Sequence, residues 1–273
     1  MKKALTSPDI RELVSEWQYL LGCRLEQFGR PSSNELILKF RSSGTGTVRL
    51  VVDLSGWAYV TKESISTESN QGVFVNAVRK TIKKSRLESI SQLNGDRIIC
   101  LEFIRGDESH TLIFEMFHKG NAILCSDKKI KTVMRQQKFR HRSLKPRLEY
   151  QAPPGFNPFE SDFSKFSEVI SGSERPIGAS LTINCNLGGE ISNLVCHRLE
   201  IDVSTKVEQS KFQSIYDQVQ EILSDKIAPS IFLDDEGKNF TVSSLNLSHL
   251  NQGPRFDTFG EAIETYLNSR EEP

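Results

Sequence analysis

"LNGDRIICLEF", Leu93 to Phe103, holds a turn and a strand within eleven residues. Asn94-Gly95 is a dipeptide suited to a tight hairpin turn, because both residues tolerate the positive φ such turns demand. Arg97 to Phe103 then runs almost wholly apolar, the pattern of a buried strand. Between turn and strand stand an acid and a base, Asp96 and Arg97. They read either as residues that finish a turn and guard a strand end, or as a site.

Working outward, the neighbouring segments share this strand character. "LESISQL" precedes the turn, and "HTLIFEMF" and "NAILCSD" follow. Upstream lie "ELILKF", "GTVRLVVDLSG" and "WAYVTK". Two helices interrupt the strands. The first is capped by Thr6 or Ser7, has Pro8 in its first turn, and puts Leu13, Trp17, Leu20 and Leu21 on one face. The second, in "GVFVNAVRKTIKKSR", turns Val73, Phe74, Ala77, Val78 and Ile82 inward and a basic face outward. The result is an α+β chain whose first domain, residues 1–160, is a mostly antiparallel β-rich sandwich with two helices.

After the Pro/Gly-punctuated "YQAPPGFNPF" the pattern becomes helical, so residues 161–273 form a helical module. One helix carries Ile191, Leu194, Val195 and Leu199. The next carries Phe212, Ile215, Val219 and Ile222, and the last Phe259, Ile263 and Tyr266. A short strand-like insert, "SIFLDDEGKNFTVSSL", separates the last two.

The net charge of zero conceals a division. Residues 1–150 contain 26 Lys and Arg against 16 Asp and Glu, whereas the remainder is acidic by the same margin. A basic half points to a polyanionic partner. No apolar run reaches membrane-spanning length, and the start "MKKALTSPDI" lacks the apolar core of a secretory signal. Five scattered cysteines without a CxxC pair suit a reducing cytosol rather than a disulfide framework or zinc site. The five histidines stand apart from one another, and no GxSxG, P-loop, HExxH or GxGxxG signature is present. The expectation is therefore a cytoplasmic protein that is not an enzyme, with no metal and no cofactor.

Three features suit nucleic acid. From Lys128 to Arg147 there are nine basic residues and no acidic one: Lys128, Lys129, Lys131, Arg135, Lys138, Arg140, Arg142, Lys145 and Arg147. Phe139 and His141 are interleaved with them; cations meet phosphates, and planar groups stack on exposed bases. The same run also reads as a solvated edge strand and linker. The second feature is "NLGGE", where Gly188-Gly189 opens a helix whose N–H groups face outward; a plain helix–helix turn has the same look. The third is Asp9 with Asp96 and Arg97. Asp9 alone reads as a carboxylate stabilising a helix N-terminus, worth about 0.3–1 kcal/mol.

"LTSPDIRELVSEWQYLLGCRLEQF", "NGDRIICLEF", "FHKGNAILCSD" and "LEYQAPP" occur in that order. Together they resemble the NFACT N-terminal domain of the ribosome quality control family, called Rqc2 or NEMF in eukaryotes and RqcH in bacteria. Bacterial members also carry the older name fibronectin-binding protein. "NLGGEISNLVCHRLEID" is similar to the family's helix-hairpin-helix segment, and "FDTFGEAIETYL" to the stretch before its coiled coil.

The resemblance implies a sandwich like the N-terminal domain of formamidopyrimidine-DNA glycosylase, followed by a helix-hairpin-helix module. It implies binding to a stalled large ribosomal subunit carrying peptidyl-tRNA, and recruitment of aminoacyl-tRNA for template-free tailing. It assigns Asp9, Asp96 and Arg97 to tRNA, with the basic run and Gly188-Gly189 as backbone contacts. The coiled coil and C-terminal domain are absent, which implies a piece of a longer protein. Glycosylase chemistry is not expected on DNA, because the chain starts Met-Lys-Lys and Pro8 has no free amine. The competing expectation is a protein-interaction or adhesin-type module without an RNA role.

Overall fold

The computed structural model describes all residues except 43, 45, 67–70 and 272–273. Its centre is a nine-stranded, wholly antiparallel sheet. The strands are β1 (Arg24–Gly29), β2 (Glu35–Ser42), β3 (Gly46–Asp53), β4 (Trp57–Thr61), β5 (Arg86–Gln92), β6 (Ile98–Arg105), β7 (Glu108–Glu115), β8 (Asn121–Ser126) and β9 (Lys129–Val133). They lie in the order β4-β3-β2-β1-β5-β6-β7-β8-β9. The predicted sandwich layers are thus parts of one continuous sheet. It curls until Leu54, after β3, meets Gly120, before β8: a Cβ on Gly120 would overlap the Leu54 carbonyl, and Gly120 has φ +62°.

The near-continuous apolar runs have the cause anticipated for them, since both faces are covered. Along β6, Ile99, Leu101 and Phe103 enter the main core, while Ile98 and Cys100 face a smaller cluster with Ile113, Ile123, Cys125, Ile130 and Leu144. β1 was not foreseen from the sequence, because a register irregularity between Leu25 and Gln27 breaks the alternation of "CRLEQFG"; Leu25 and Phe28 are nonetheless fully buried.

Helix α1 (Ser7–Glu16) starts on a capping box: Thr6 and Asp9 exchange hydrogen bonds, and Pro8 sits in the first turn. A 3₁₀ turn (Trp17–Leu20) extends it, so Ile10, Leu13, Trp17 and Leu20 are buried, while Leu21, expected on the same face, lies past the turn and is exposed. In α2 (Gly72–Ile82) the buried set is Phe74, Val75, Val78, Thr81 and Ile82. Val73, expected inside, is 86% exposed, because the helix phase is set one residue on and Val75 takes the inward place.

A second core belongs to α3 (Phe163–Ser171), the short α4 (Ile177–Ala179) with its following π turn (Ser180–Asn184), α5 (Gly189–Arg198) and α6 (Phe212–Leu223). The expected insert is a three-stranded sheet in which β12 (Ser230–Leu233) lies between β13 (Asn239–Ser243) and β14 (Asn251–Arg255). A two-stranded hairpin, β10 (Gln137–Lys138) and β11 (Ser143–Leu144), lies between the nine-stranded sheet and the helices in sequence. Helix α7 (Phe259–Glu271) does not stay with the helical module. Its Phe259, Ala262, Ile263 and Tyr266 join the main core with Ile231 and Val242, so a cut at residue 160 separates sequence segments but not cores. Glu16 of α1 accepts hydrogen bonds from the Phe259 and Gly260 N–H groups and caps α7 from across the fold.

Candidate nucleic-acid interface

The β5–β6 turn has the conformation its dipeptide implies: Asn94 and Gly95 have φ +53° and +58°, and the Asp96 N–H donates to Leu93 O at 3.0 Å. Two other segments dock on this turn. Ser7 Oγ, at the start of α1, donates to Gly95 O, and Asn186 Nδ2, in the loop before α5, donates to the same carbonyl at 2.8 Å. Asn186 Nδ2 also lies 3.4 Å from Asp96 Oδ1. Gln92 Nε2 ties Ser7 O to Asp96 O, each at 2.9 Å. Gly95 is packed so closely on Asn157 that any side chain would collide there. "NGDR", "NLGGE" and the α1 start, far apart in sequence, therefore meet.

Where they meet, a cleft of about 620 Å³ opens, lined by Lys3, Ser7, Arg97, Asn186, Gly189 and Asn193 among others. Asp96 Oδ1 accepts from the Arg97 N–H at 2.7 Å, which sets the direction of the strand entry. The Arg97 guanidinium is half-buried and, among the described residues, makes no hydrogen bond or ion pair. Burial draws its pKa below the ordinary arginine value, an effect that the Asp96 carboxylate only partly offsets; arginine stays charged regardless. Gly188 (φ +82°) abuts Thr6, whereas nothing stands within 4 Å of where a Cβ on Gly189 would lie. The first turn of α5 is thus open beside Arg97.

Asp9 is placed differently from its expected RNA contact. Its Oδ2 accepts from Thr6 N–H and Thr6 Oγ1, both at 2.7 Å, and pairs with Lys2 Nζ at 2.7 Å; only 3% of Asp9 is exposed. Through Oδ2 it holds the N-terminal segment beneath the cleft, and its burial leaves little of the carboxylate in reach of a ligand. Lys2, which sequence reasoning passed over, carries the matching charge and also donates to Val242 O at 2.8 Å.

The basic run divides. Lys128, Lys129, Lys131, Lys138, Arg140, Lys145 and Arg147 are exposed, and none forms an ion pair among the described residues. Arg142 is not available to phosphate: it is buried, with Nη1 and Nη2 at 2.5 and 2.9 Å from the Glu115 carboxylate. Burial depresses its pKa, but the Glu115 bond and charge outweigh that and raise it. Arg135 is likewise engaged, donating to Gly120 O at 3.0 Å and Asn34 Oδ1 at 2.6 Å. Sequence alone shows a cation but not the carboxylate or carbonyl that folding brings to it; the one signal for Glu115 was an acid set inside the apolar run "TLIFEMF", which does not name its partner. Among the described residues no three His, Cys, Asp or Glu side chains gather as metal ligands, and no helix is long and apolar enough to cross a membrane.

The chain has relatives among known proteins. The chain is 27% identical over 287 residues to the archaeal Rqc2 homolog aRqcH of Methanocaldococcus jannaschii, covering 98% of this chain and 42% of that protein. It is 28% identical to the Rqc2 homolog RqcH of Streptococcus pneumoniae, covering 88% and 45%. The chain thus spans less than half the length of these relatives. Its fold is similar to the N-terminal part of the fibronectin/fibrinogen-binding protein of Streptococcus suis, with TM-score 0.71, 21% identity and coverage of 97% and 99%. It is similar also to the fibrinogen binding protein of Staphylococcus aureus, with TM-score 0.75, 19% identity and coverage of 96% and 98%. Residues 6–273 match the family described as NFACT N-terminal and middle domains, and the chain belongs to that family.

Proposed function

We propose that this chain is the RNA-facing N-terminal part of a ribosome-associated quality control factor, one that engages the stalled large subunit with its peptidyl-tRNA and recruits aminoacyl-tRNA for template-free tailing. The observation that carries the reading is the Arg97 guanidinium, half-buried and, among the described residues, without a hydrogen bond or ion pair, at a cleft that also exposes the first turn of α5. A cation left unpaired in such a place suits an anionic or acceptor-rich ligand. The relatives, named Rqc2 and RqcH homologs, support the same direction.

In this reading Arg97 presents its planar fork to a phosphate or base edge, and Asp96, held by Asn186, aims it. The open α5 terminus favours a second phosphate. The exposed lysines and arginines between 128 and 147 add attraction along the backbone. Asp9 acts from below by holding Lys2 and Thr6 in place. In this reading the helices around α5 serve as the family's helix-hairpin-helix module. No residue is assigned to bond-making, because peptide transfer in this reading belongs to the ribosome.

The test is tRNA binding across a salt series. The wild-type chain binds with an affinity that falls steeply as salt rises. Arg97→Ala weakens binding by about tenfold with little change in Tm, because it leaves no partner unpaired. A flat salt response, or wild-type affinity in Arg97→Ala, would overturn the reading.

A further inference from the structure

The β10–β11 hairpin has features that a merely solvated linker would not require. Lys138 pairs with Ser143, and the Phe139 N–H donates to Arg142 O at 2.8 Å, which leaves Arg140 and His141 exposed at the tip. Phe139 is 37% exposed, and the Arg142 guanidinium lies over its ring at 4.8 Å from the centroid. Arg142 is itself immobilised by Glu115, and Tyr150 donates its hydroxyl to the same carboxylate at 2.8 Å. The base of the hairpin is fastened by buried Leu144 and by Asn121, whose Nδ2 donates to Gln137 Oε1 at 2.9 Å. An exposed aromatic ring on an otherwise solvated hairpin is thus backed by a guanidinium and fastened to the sheet, with exposed Lys138 and Arg140 as its neighbours in the chain.

We infer that Phe139 is a stacking platform for an unpaired nucleobase, with Lys138 and Arg140 taking the phosphates that flank it. Every base offers a π-face, so the platform is tolerant of sequence, and its rigidity lowers the ordering cost of binding. The hairpin sits at the same end of the sheet as the cleft. Glu115 pairs with Ile98, the residue after Arg97, and the Met116 N–H donates to Arg97 O at 2.9 Å. The inference rests on the RNA-facing reading of that cleft and adds a single-stranded segment to what the protein holds.

The experiment titrates the 273-residue chain with a short single-stranded RNA carrying 2-aminopurine and with the matching duplex. The wild type quenches the 2-aminopurine and prefers the single strand. Phe139→Ala loses the quenching and about tenfold in affinity, with an unchanged salt slope because no charge is removed. Phe139→Trp keeps both, and Tm shows that the variants are folded.

Wild-type affinity and quenching in Phe139→Ala, with Arg97→Ala still impaired, would overturn the platform and leave the cleft reading standing. Impairment in Phe139→Ala alone would keep the platform and overturn the cleft. Absence of RNA binding by the wild type at low salt would overturn both. Tighter binding of an acidic peptide through Phe139 than of RNA would reassign the platform to a protein partner and overturn it.

Discussion

Lys2 Nζ lies 2.7 Å from Asp9 Oδ2, and the two side chains are 2% and 4% exposed. A charge removed from one end of such a pair leaves the other buried and uncompensated, which typically costs about 3–5 kcal/mol. Asp9→Asn should therefore lower stability by that order in urea unfolding, and Lys2→Met/Asp9→Asn should recover most of it. Loss of function in an Asp9 variant then reports a displaced N-terminal segment, and an unfolding curve separates that from a lost RNA contact.

The same pair gives stability an alkaline limit. Burial alone would lower the Lys2 pKa, but Asp9, Glu190 and Tyr266 together raise it above the ordinary 10.5. The folded chain thus holds this proton more tightly than the unfolded one. Its stabilisation is complete below pH 10.5 and disappears as pH rises through the folded value. Urea midpoints measured from neutral into strongly alkaline pH should show this decline in the wild type and lack this component in Lys2→Met.

Adjacent glycines should respond oppositely. Gly188 combines φ +82° with a position where a Cβ overlaps Thr6 Cγ2, so Gly188→Ala should cost about 1–3 kcal/mol. Gly189 has no positive φ and open space where a Cβ would lie, so Gly189→Ala should leave Tm nearly unchanged. Thermal unfolding of the two variants checks the contrast, and equal losses would refute the packing argument.

Within the basic run, two arginines five residues apart should behave as different kinds of residue. Breaking the Glu115–Arg142 pair with Glu115→Gln should cost about 3–5 kcal/mol and loosen the β10–β11 hairpin, seen as faster amide exchange there. Arg147→Ala, exposed and without an ion pair, should change stability by no more than about 0.5 kcal/mol and instead reduce the salt slope of RNA binding.

Much of the architecture was readable because it depends on neighbours in the chain. Asn94-Gly95 specified its own turn, Thr6 and Asp9 their own capping box, and the runs through β6 and β7 their two-sided burial. Local periodicity failed where phase depends on packing. Val73 and Val75 are equally apolar, and only the surface under α2 selects which faces inward. The curl that makes one sheet do the work of two layers leaves no local mark either, since it is set by the approach of Leu54 to Gly120.

The site divides along the same line. Sequence by itself determined which residues carry charge, where the chain turns, and the order of motifs that places the chain in its family, because these are properties of residue type and spacing. Only the tertiary structure decided which charges remain free. It neutralised Asp9 with Lys2 and Arg142 with Glu115, and through Asn186 it joined the Gly95-Asp96 turn that precedes Arg97 to the loop before α5. A charged side chain buried in folding must find a counter-charge or give up its hydration, and its partner is chosen by the chain's path in space.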